Sequence, residues 1–508
     1  MSTGSEQAEP STRIVGNGAR GRSAVSRESV QSFYHLRDVP LTGRHCQGLA
    51  CFAARGRDPE RWAQAVAETP RIDCLGKCYR APASSDDDAL PHVESRARDT
   101  VLLGNVLAGG VHALSEYRAR AGGEALSQAL TMGPAAIRAA IVQSGLRGRG
   151  GAGFPSGRKW DAVARAPGKR RYVVVNADEG DPGSFSDRFL IEDDPFLLIE
   201  ATVIAGYAVG ASAGYVYLRK EYPLAHRRLQ AALDAARAGG MLGERILDSG
   251  YSFDLQITPG AGSYLCGEET AMLNAIEGKR PEARPRPPFI FEQGLFGAPT
   301  LVNNVETLCA VPWILRRGAE AYRALGVANS RGTKLLSLPS LFARPGLYEI
   351  EFGMTLREIV DGLGGGLKRG TLQALMVGGP LAGLIPPSLL DTPFGYEELQ
   401  AIDAAVGHGG VIAFAGDTSI AEIAREVFRF GATESCGKCT PCHLGSPVLQ
   451  RGFEAAAQLR SPVVSRAEFA DLVAALEAAS LCGHGRGLAE FARSLERHFA
   501  EDLRACLA

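Results

Sequence analysis

The longest apolar run in the chain, FLLIEATVIAGYAVGASAGYVYL at residues 196–218, is interrupted by glycine at 210 and 214. It therefore reads as a buried helix over 196–208 followed by a strand over 214–218. The run is long enough to cross a bilayer, but the break divides it into two elements, so no membrane span is expected. Upstream, residues 126–144 carry a helical period and predict one helix. Residues 172–175 are an apolar, β-branched run that predicts a buried strand. This alternation of strand and helix implies an α/β fold. Between 335 and 415 the pattern changes: short apolar runs (KLLSL, GLYEIEF, ALMVGG, GVIAF) alternate with glycine turns around one helical segment, TLREIVDGL. From 419 onward, beginning with SIAEIAREVFRF, the period is helical. Residues 1–30 are rich in Ser, Gly and Arg and predict a disordered tail. The charged, proline-containing stretch SSDDDALPH at 84–92 marks a boundary.

A length of 508 residues sets a prior of about three or four domains. The 55 basic and 56 acidic side chains leave a net charge of −1, and nothing in that balance suggests nucleic acid or an anionic membrane as a standing partner. The N-terminal tail has no apolar core of the kind a signal peptide needs, so a cytoplasmic protein is expected. In a reducing compartment, 11 cysteines point to metal or redox ligands rather than disulfides.

The cysteines fall into patterns. Cys46 and Cys51 form a C-x4-C pair, and Cys74 and Cys78 a C-x3-C pair. Four thiolates in two close pairs can hold a small iron–sulfur cluster; zinc is the alternative, although structural zinc more often uses C-x2-C. Cys436, Cys439 and Cys442 form C-x2-C-x2-C, which grips one face of a cubane cluster and needs a fourth ligand from elsewhere.

The stretch 144–160, SGLRGRGGAGFPSGRKW, surrounds Phe154 with glycines, among them Gly148, Gly150 and Gly151, and ends in Arg158 and Lys159. Glycines let backbone N–H groups converge on an anion, and a lysine adds a point charge for a phosphate. The formal G-x-G-x-x-G of Gly148 to Gly153 is not a dinucleotide fingerprint, because a helix precedes it and FPSG follows. A surface turn with no ligand has the same composition. The acidic loop after the 172–175 strand favours the ligand-binding reading, since it releases Asn176, Asp178, Glu179 and Asp181 where an open α/β sheet places its ligand. A second glycine turn, GAGSYLCGEETAML at 260–273, puts Tyr264, Glu268 and Glu269 at a helix start, where a carboxylate is also favoured simply by the helix dipole.

The motifs SGLRGRGGAGFPSGRKW, NADEGDPG, GAGSYLCGEETAML, LFGAPTLVNNVETL and ESCGKCTPC occur in this order. Over roughly residues 100–508 the chain resembles the flavin- and NADH-binding subunit of respiratory complex I and its relatives in NAD-reducing hydrogenases and NAD-dependent formate dehydrogenases. The resemblance implies an NADH:acceptor oxidoreductase with FMN, NAD and a 4Fe–4S cluster, in an α/β multidomain architecture. A truncated thioredoxin-like unit with a 2Fe–2S-type site is expected over 1–88, and a Rossmann-like α/β domain for FMN and NADH over 89–332. A β-grasp domain is expected over 333–416, acting as a spacer, and a helical iron–sulfur domain over 417–508.

Residue by residue, the resemblance implies that Gly148, Arg149, Gly150, Gly151 and Lys159 hold the FMN phosphate. Asn176, Asp178, Asn303 and Asn304 would hold its ribityl chain and ring edge. Glu179 would sit by the nicotinamide, and Tyr264, Glu268, Glu269 and Asp181 would line the dinucleotide pocket, with Phe154 and Phe289 stacking the adenine. Cys482 matches the fourth cluster position, with Cys506 as a weaker rival. YLRKEYP at 217–223 also matches, although its Arg219 and Glu221 can equally be a surface ion pair. Residues 31–83 resemble the thioredoxin-like 2Fe–2S subunit of the same complexes, but with a shortened gap of 22 residues between the cysteine pairs. A cluster-free remnant is the rival reading there. FSDR, EDDPFLLIE, DTPFGYEEL and AVGHGGVIAF are most similar to the formate dehydrogenase branch. That implies as partners a catalytic subunit with molybdenum- or tungsten-pterin and a small iron–sulfur subunit. A hydrogenase or complex I diaphorase and a redox-silent scaffold are the alternatives.

Overall fold

The computed structural model describes residues 34–508; the N-terminal tail expected to be disordered lies outside the described residues. Its centre is a parallel four-stranded sheet in the order Asp254–Pro259, Ala213–Leu218, Tyr172–Ala177, Thr300–Asn304. Val173, Val174 and Val175 are fully buried, as a strand covered on both faces requires. The apolar run at 196–218 folds as expected, into the helix Pro195–Val209 and the strand Ala213–Leu218. Every residue of that helix except Tyr207 is buried. Its one carboxylate, Glu200, accepts hydrogen bonds from Gly123 N (3.0 Å), Leu126 N (2.8 Å) and the Tyr117 hydroxyl, which caps the start of the next helix over. Among the described residues no single helix is long and apolar enough to cross a membrane.

The single helix predicted over 126–144 is in fact two, Glu124–Met132 and Pro134–Ser144, bent by 114°. Gly133 at φ 82° leaves the helical region, and Pro134 opens the next helix at its first position, where a missing N–H costs nothing. The bend aims the end of the second helix at the glycine loop.

The β-rich region is built from two three-stranded sheets: His92–Ser95, Gly346–Glu351, Thr333–Leu338, and Leu384–Ile385, Leu372–Val377, Val411–Ala415. The stretch 84–92, read as a linker, thus runs into an edge strand that pairs in parallel with Gly346–Glu351. TLREIVDGL contains one wide helical turn, Glu358–Leu363. The region is tied to the central domain by an ion pair between Lys334 and Glu306, both side chains fully buried. The C-terminal region is helical, and capping boxes at Ser419/Glu422 and Ser465/Glu468 start two of its helices.

The N-terminal unit has its own small core of Leu36, Cys46, Cys51, Ala54, Ile72, Leu75, Ala81 and Ala83. Between residues 34 and 83 it contains helices and turns but no strand; His45 makes only an isolated bridge to Ser84. The sheet expected of a thioredoxin-like domain is therefore absent over these residues, and the unit is held by contacts with the rest of the chain. Ser340 N donates to Cys78 O (3.0 Å), Arg188 Nη1 to Gly76 O (3.0 Å), and Arg71 and Arg429 pair with Glu426 and Asp73 across the boundary.

Candidate functional site

The glycine loop is a tight reversal. Gly148 N donates to Phe154 O and Ser156 N to Leu146 O, both at 2.9 Å, which brings the tip, residues 149–153, against the C-terminal end of the central sheet. At Gly150 a Cβ would stand 2.9 Å from Asn304 Cβ, so only glycine allows this approach. Gly151 has φ +144° with open space around its missing Cβ. Arg149 faces the other way. Its guanidinium is buried over the Phe352 ring and donates to the Tyr322 hydroxyl (2.7 Å), Arg331 O (2.5 Å) and the Tyr396 hydroxyl (3.2 Å), while its N–H donates to Thr307 Oγ1 (2.8 Å). Its side chain braces the loop from behind. Lys159 lies beside the acidic helix start, 3.1 Å from Glu269 Oε2 and 3.2 Å from Val302 O. Phe154 and Phe289 are exposed at 53% and 43%, the latter stacked on Phe291 with centroids 5.3 Å apart; both offer uncovered aromatic faces.

The acidic loop is highly organised. Glu179 Oε1 accepts from Ser184 Oγ (2.8 Å), Ser186 N (2.6 Å), Ser186 Oγ (3.0 Å) and Asp187 N (3.2 Å), and Oε2 from Arg188 N (3.1 Å) and the Tyr222 hydroxyl (3.0 Å). Burial works against the charge, but His408 and these donors outweigh it and hold the carboxyl below its ordinary range. Asn176 Nδ2 donates to Gly267 O (2.9 Å), and its Oδ1 accepts from Asp178 N (3.1 Å). The Tyr264 hydroxyl donates to Asp181 Oδ1 (2.7 Å), and its ring rests on Phe430 (4.8 Å) and His484 (6.0 Å) of the helical region. Glu268 caps the helix Glu269–Ile276 by accepting from Thr270 N and Ala271 N, while Glu269 is held by Lys159 and Arg286. Asn303 Oδ1 accepts from the Trp160 indole (2.9 Å). Asn304 caps the helix Val305–Arg317 and donates to Asp187 Oδ2 (2.6 Å).

Sequence reasoning left one pair of side chains open here and missed a third. Arg219 and Glu221 form a buried pair, not a surface one: Arg219 joins the backbone of Glu179 to Cys74 O (2.7 Å), linking the acidic loop to the N-terminal cysteines. His408, from the β-rich region read as a spacer, lies among the carboxylates with Nε2 2.8 Å from Asp187 Oδ2. Lone polar residues in apolar surroundings give no periodic signal, and only their placement reveals them.

The residues fit an FMN. Asp178 Oδ2 and Asp187 Oδ1 are buried acceptors with no protein donor, suited to polyol hydroxyls, and burial lifts the Asp178 carboxyl to about 8. The cysteines also fit their groups. Cys436, Cys439, Cys442 and Cys482 lie in one another's electrostatic field: burial, and then the neighbouring sulfurs, push the Cys442 thiol up to about 12, with Ser435 Oγ opposing at 3.1 Å. Cys482 precedes the helix Gly483–His498 and packs with Cys436 in a small core. Cys506 instead donates to Asp502 O (3.2 Å) of its own helix. In the N-terminal unit Cys74 Sγ is 3.7 Å from Cys78 Sγ, and Cys51 shares a small core with Cys46, which together with burial holds the Cys51 thiol well above its ordinary range. Gly76 N donates to Cys74 Sγ (3.3 Å) and Ala83 N to Cys51 Sγ (3.4 Å). The bond from Cys78, reinforced by Arg219 and Gly76 against burial, draws the Cys74 thiol down to about 7.

Comparison with known proteins agrees. Residues 141–313 match the family model for the Nuo51 FMN-binding domain, and residues 422–506 that for the NADH-ubiquinone oxidoreductase-F iron-sulfur binding region. The chain is 40% identical over 393 residues to the HndC component of the NADP-reducing hydrogenase of Solidesulfovibrio fructosivorans, covering 77% of this chain and 80% of that one. It is 45% identical over 349 residues to an NADH-quinone oxidoreductase F-type subunit of Rhizobium meliloti, covering 68% and 83%. The crystal structure of an air-oxidised NAD+-reducing [NiFe]-hydrogenase superposes on 95% of this chain and 88% of that one, with a TM-score of 0.75 and 31% identity. With its α/β sheet, its glycine loop at the sheet's edge and its cysteine-bearing helices, the chain belongs to the family of flavin- and NADH-binding diaphorase subunits that includes the F-type subunits of NADH-quinone oxidoreductase.

Proposed function

We propose that this chain exchanges electrons between NAD(H) and iron–sulfur clusters inside a larger enzyme whose other subunits act on the terminal substrate. FMN held here would supply the link between the two-electron chemistry of NADH and the one-electron chemistry of a cluster. The observation that supports this most directly is Asp187 Oδ1, a buried acceptor without a partner on the carboxylate that Asn304 joins to the glycine loop, with Asp178 Oδ2 a second such acceptor facing Gly267. In this reading the loop tip and Lys159 hold the phosphate, and Asp178, with Asn176, holds the ribityl chain. Glu179 shapes the nicotinamide side by fixing the start of the helix Ser186–Asp193. Catalysis is by positioning; no side chain acts as nucleophile. The Tyr264 ring, touching both Asp181 and the helical region, joins the flavin side to the cluster on Cys436, Cys439, Cys442 and Cys482. Purified protein carrying FMN and reducing ferricyanide with NADH is the expected result. Protein that contains iron yet takes up no added FMN contradicts the reading and leaves the scaffold alternative. A bulky Gly150→Val exchange pushes into Asn304 and is expected to weaken FMN binding by more than about tenfold, measured by fluorescence titration.

For the terminal substrate we propose formate, with a molybdenum- or tungsten-pterin catalytic subunit and a small iron–sulfur subunit as partners. FSDR, EDDPFLLIE, DTPFGYEEL and AVGHGGVIAF support this. A hydrogenase partner is the second reading, favoured by the likeness to the [NiFe]-hydrogenase chain, which covers 95% of this chain and so reaches into the N-terminal unit. Co-purified partner subunits that reduce NAD with formate and not with hydrogen decide for the first, and the reverse decides for the second.

The N-terminal cysteines are proposed to hold a 2Fe–2S cluster. Two irons per chain beyond the 4Fe–4S complement, lost in Cys74→Ser, are expected; stoichiometric zinc, or four free thiols, contradicts it. Glu269 and Asp181 disfavour a 2′-phosphate by charge, so kcat/KM for NADH is expected to exceed that for NADPH by about tenfold or more. Equal values overturn that preference.

A further inference from the structure

We propose that His408 is the positioning cation of the flavin site: the glycine turn of the β-rich region delivers it into the acidic loop, where it donates to Asp187 beside the glycine cradle and supplies positive charge where electrons arrive. This deepens the diaphorase reading and rests on it.

The placement is built, not incidental. His408 stands in the sequence GHGG, and each glycine is in close contact. Gly407 bridges Gly151 of the cradle itself. A Cβ at Gly407 would collide with Gly378 O at 2.1 Å, one at Gly409 with Leu335 O at 2.2 Å, and one at Gly410 with the Gly183 carbonyl carbon at 2.9 Å. The turn is thus packed tightly on its own sheet region, rests through Gly407 on the glycine loop and through Gly410 on the acidic loop, and leaves the buried imidazole among the acidic-loop carboxylates. There Nε2 is 2.8 Å from Asp187 Oδ2, 3.2 Å from Asn304 Nδ2 and 4.0 Å from Glu179 Oε1, while Nδ1 is 3.8 Å from Asp181 Oδ2.

Glu179, Asp187 and His408 are close enough to hold a metal ion. The hydrogen bonds argue against that, because Glu179 Oε1 already accepts from Ser184, Ser186 and Asp187. The set is instead a charge balance. The other cations packed around it are each held by another carboxylate: Arg188 by Glu192 (2.9 Å), Arg219 by Glu221 (2.8 Å) and Lys334 by Glu306. Lys334 also donates to His408 O (3.1 Å). That leaves His408 to offset Asp187, Glu179 and Asp181. Burial disfavours its charge, yet these carboxylates outweigh burial and raise it to about 9. It is therefore an imidazolium at neutral pH.

The sign follows. A histidine whose folded value is raised lends its stabilisation below its ordinary value, and that stabilisation is lost as pH rises through about 9. Asp187 then loses its cationic partner, while its bond from Asn304 remains, and the site loses the charge that favours an electron-rich flavin.

The test uses full-length protein loaded with FMN. FMN affinity of the wild type should fall as pH passes about 9. His408→Gln keeps a hydrogen bond and loses the charge; it should bind FMN roughly tenfold more weakly at neutral pH, show no such fall, and shift the flavin midpoint potential to more negative values. Asp187→Asn, which removes the main anionic partner, should move the wild-type break toward lower pH. A wild-type profile without a break overturns the inference, and needs no variant to fold. So does a His408→Gln protein with unchanged affinity and potential. Wild-type protein that takes up no FMN overturns the diaphorase reading together with it.

Discussion

Lys334→Met is expected to destabilise the protein by about 3–5 kcal/mol, because it leaves Glu306 as an unpaired charge in a dry interior. Both side chains of the pair are fully buried. Glu306 Oε1 also accepts from Leu335 N (2.9 Å), so the carboxylate spans the helix Val305–Arg317 and the strand Thr333–Leu338. With the ammonium gone, burial, which already raises the Glu306 carboxyl, acts without its main opponent. Protonating Glu306 limits the damage, so the deficit should shrink at acid pH. Chemical denaturation of wild type, Lys334→Met and the double variant Lys334→Met/Glu306→Leu checks this. The double variant is expected to regain most of the loss, since two apolar side chains need no partner. A single variant that unfolds with the wild type contradicts the account.

Replacing Cys439 with serine is expected to separate the two halves of the electron path. The flavin half does not use that side chain, so FMN content and the NADH–ferricyanide reaction should persist. Transfer onward to the partner subunits should fall by on the order of 100-fold or more, since even outer-shell changes around metal sites cost that much. Iron analysis and low-temperature EPR of the assembled enzyme read the loss directly. Cys506→Ser is the discriminating control. Its thiol is spent on Asp502 O, so iron content should not change. If Cys506→Ser removes the cluster and Cys482→Ser does not, the ligand assignment fails. A cluster closed between the C-terminal helices would add its binding energy to their folding, so the Cys439→Ser protein should also melt earlier.

Much of this was legible in the sequence because it rests on local signals. The strand Tyr172–Ala177, the helix Pro195–Val209 and the C-terminal helices follow hydrophobic period, and the glycine and cysteine motifs announce their chemistry by spacing. The failures share a cause. The break at Gly133–Pro134 was hidden in a helical period that continues on both sides of it. Arg219 and Glu221 could not be told from a surface pair, because two charges in sequence carry no mark of burial; the Glu179 backbone, the Tyr222 ring and the docked N-terminal unit together bury Arg219. His408 was invisible because the β-rich region had been treated as a spacer, and nothing in GHGG says that the turn reaches a loop more than two hundred residues earlier. Arg149, grouped with the phosphate loop by position, turns its guanidinium to the opposite side, toward Tyr322 and Tyr396. Motif spacing fixes which backbone comes near the ligand, but not where each side chain goes.

The burial of the N-terminal cysteines bears on how a metal held there would be lost. Cys46, Cys51, Cys74 and Cys78 are at most 2% exposed, and Tyr222, Arg188, Arg219 and Ser340 close the docked unit from the other side. Sulfurs buried this deeply are closed to a chelator in the folded chain. A metal held on them should therefore be lost only as fast as the unit opens, by lifting off or by local unfolding of its own core, so the rate at which a chelator removes it would report that opening.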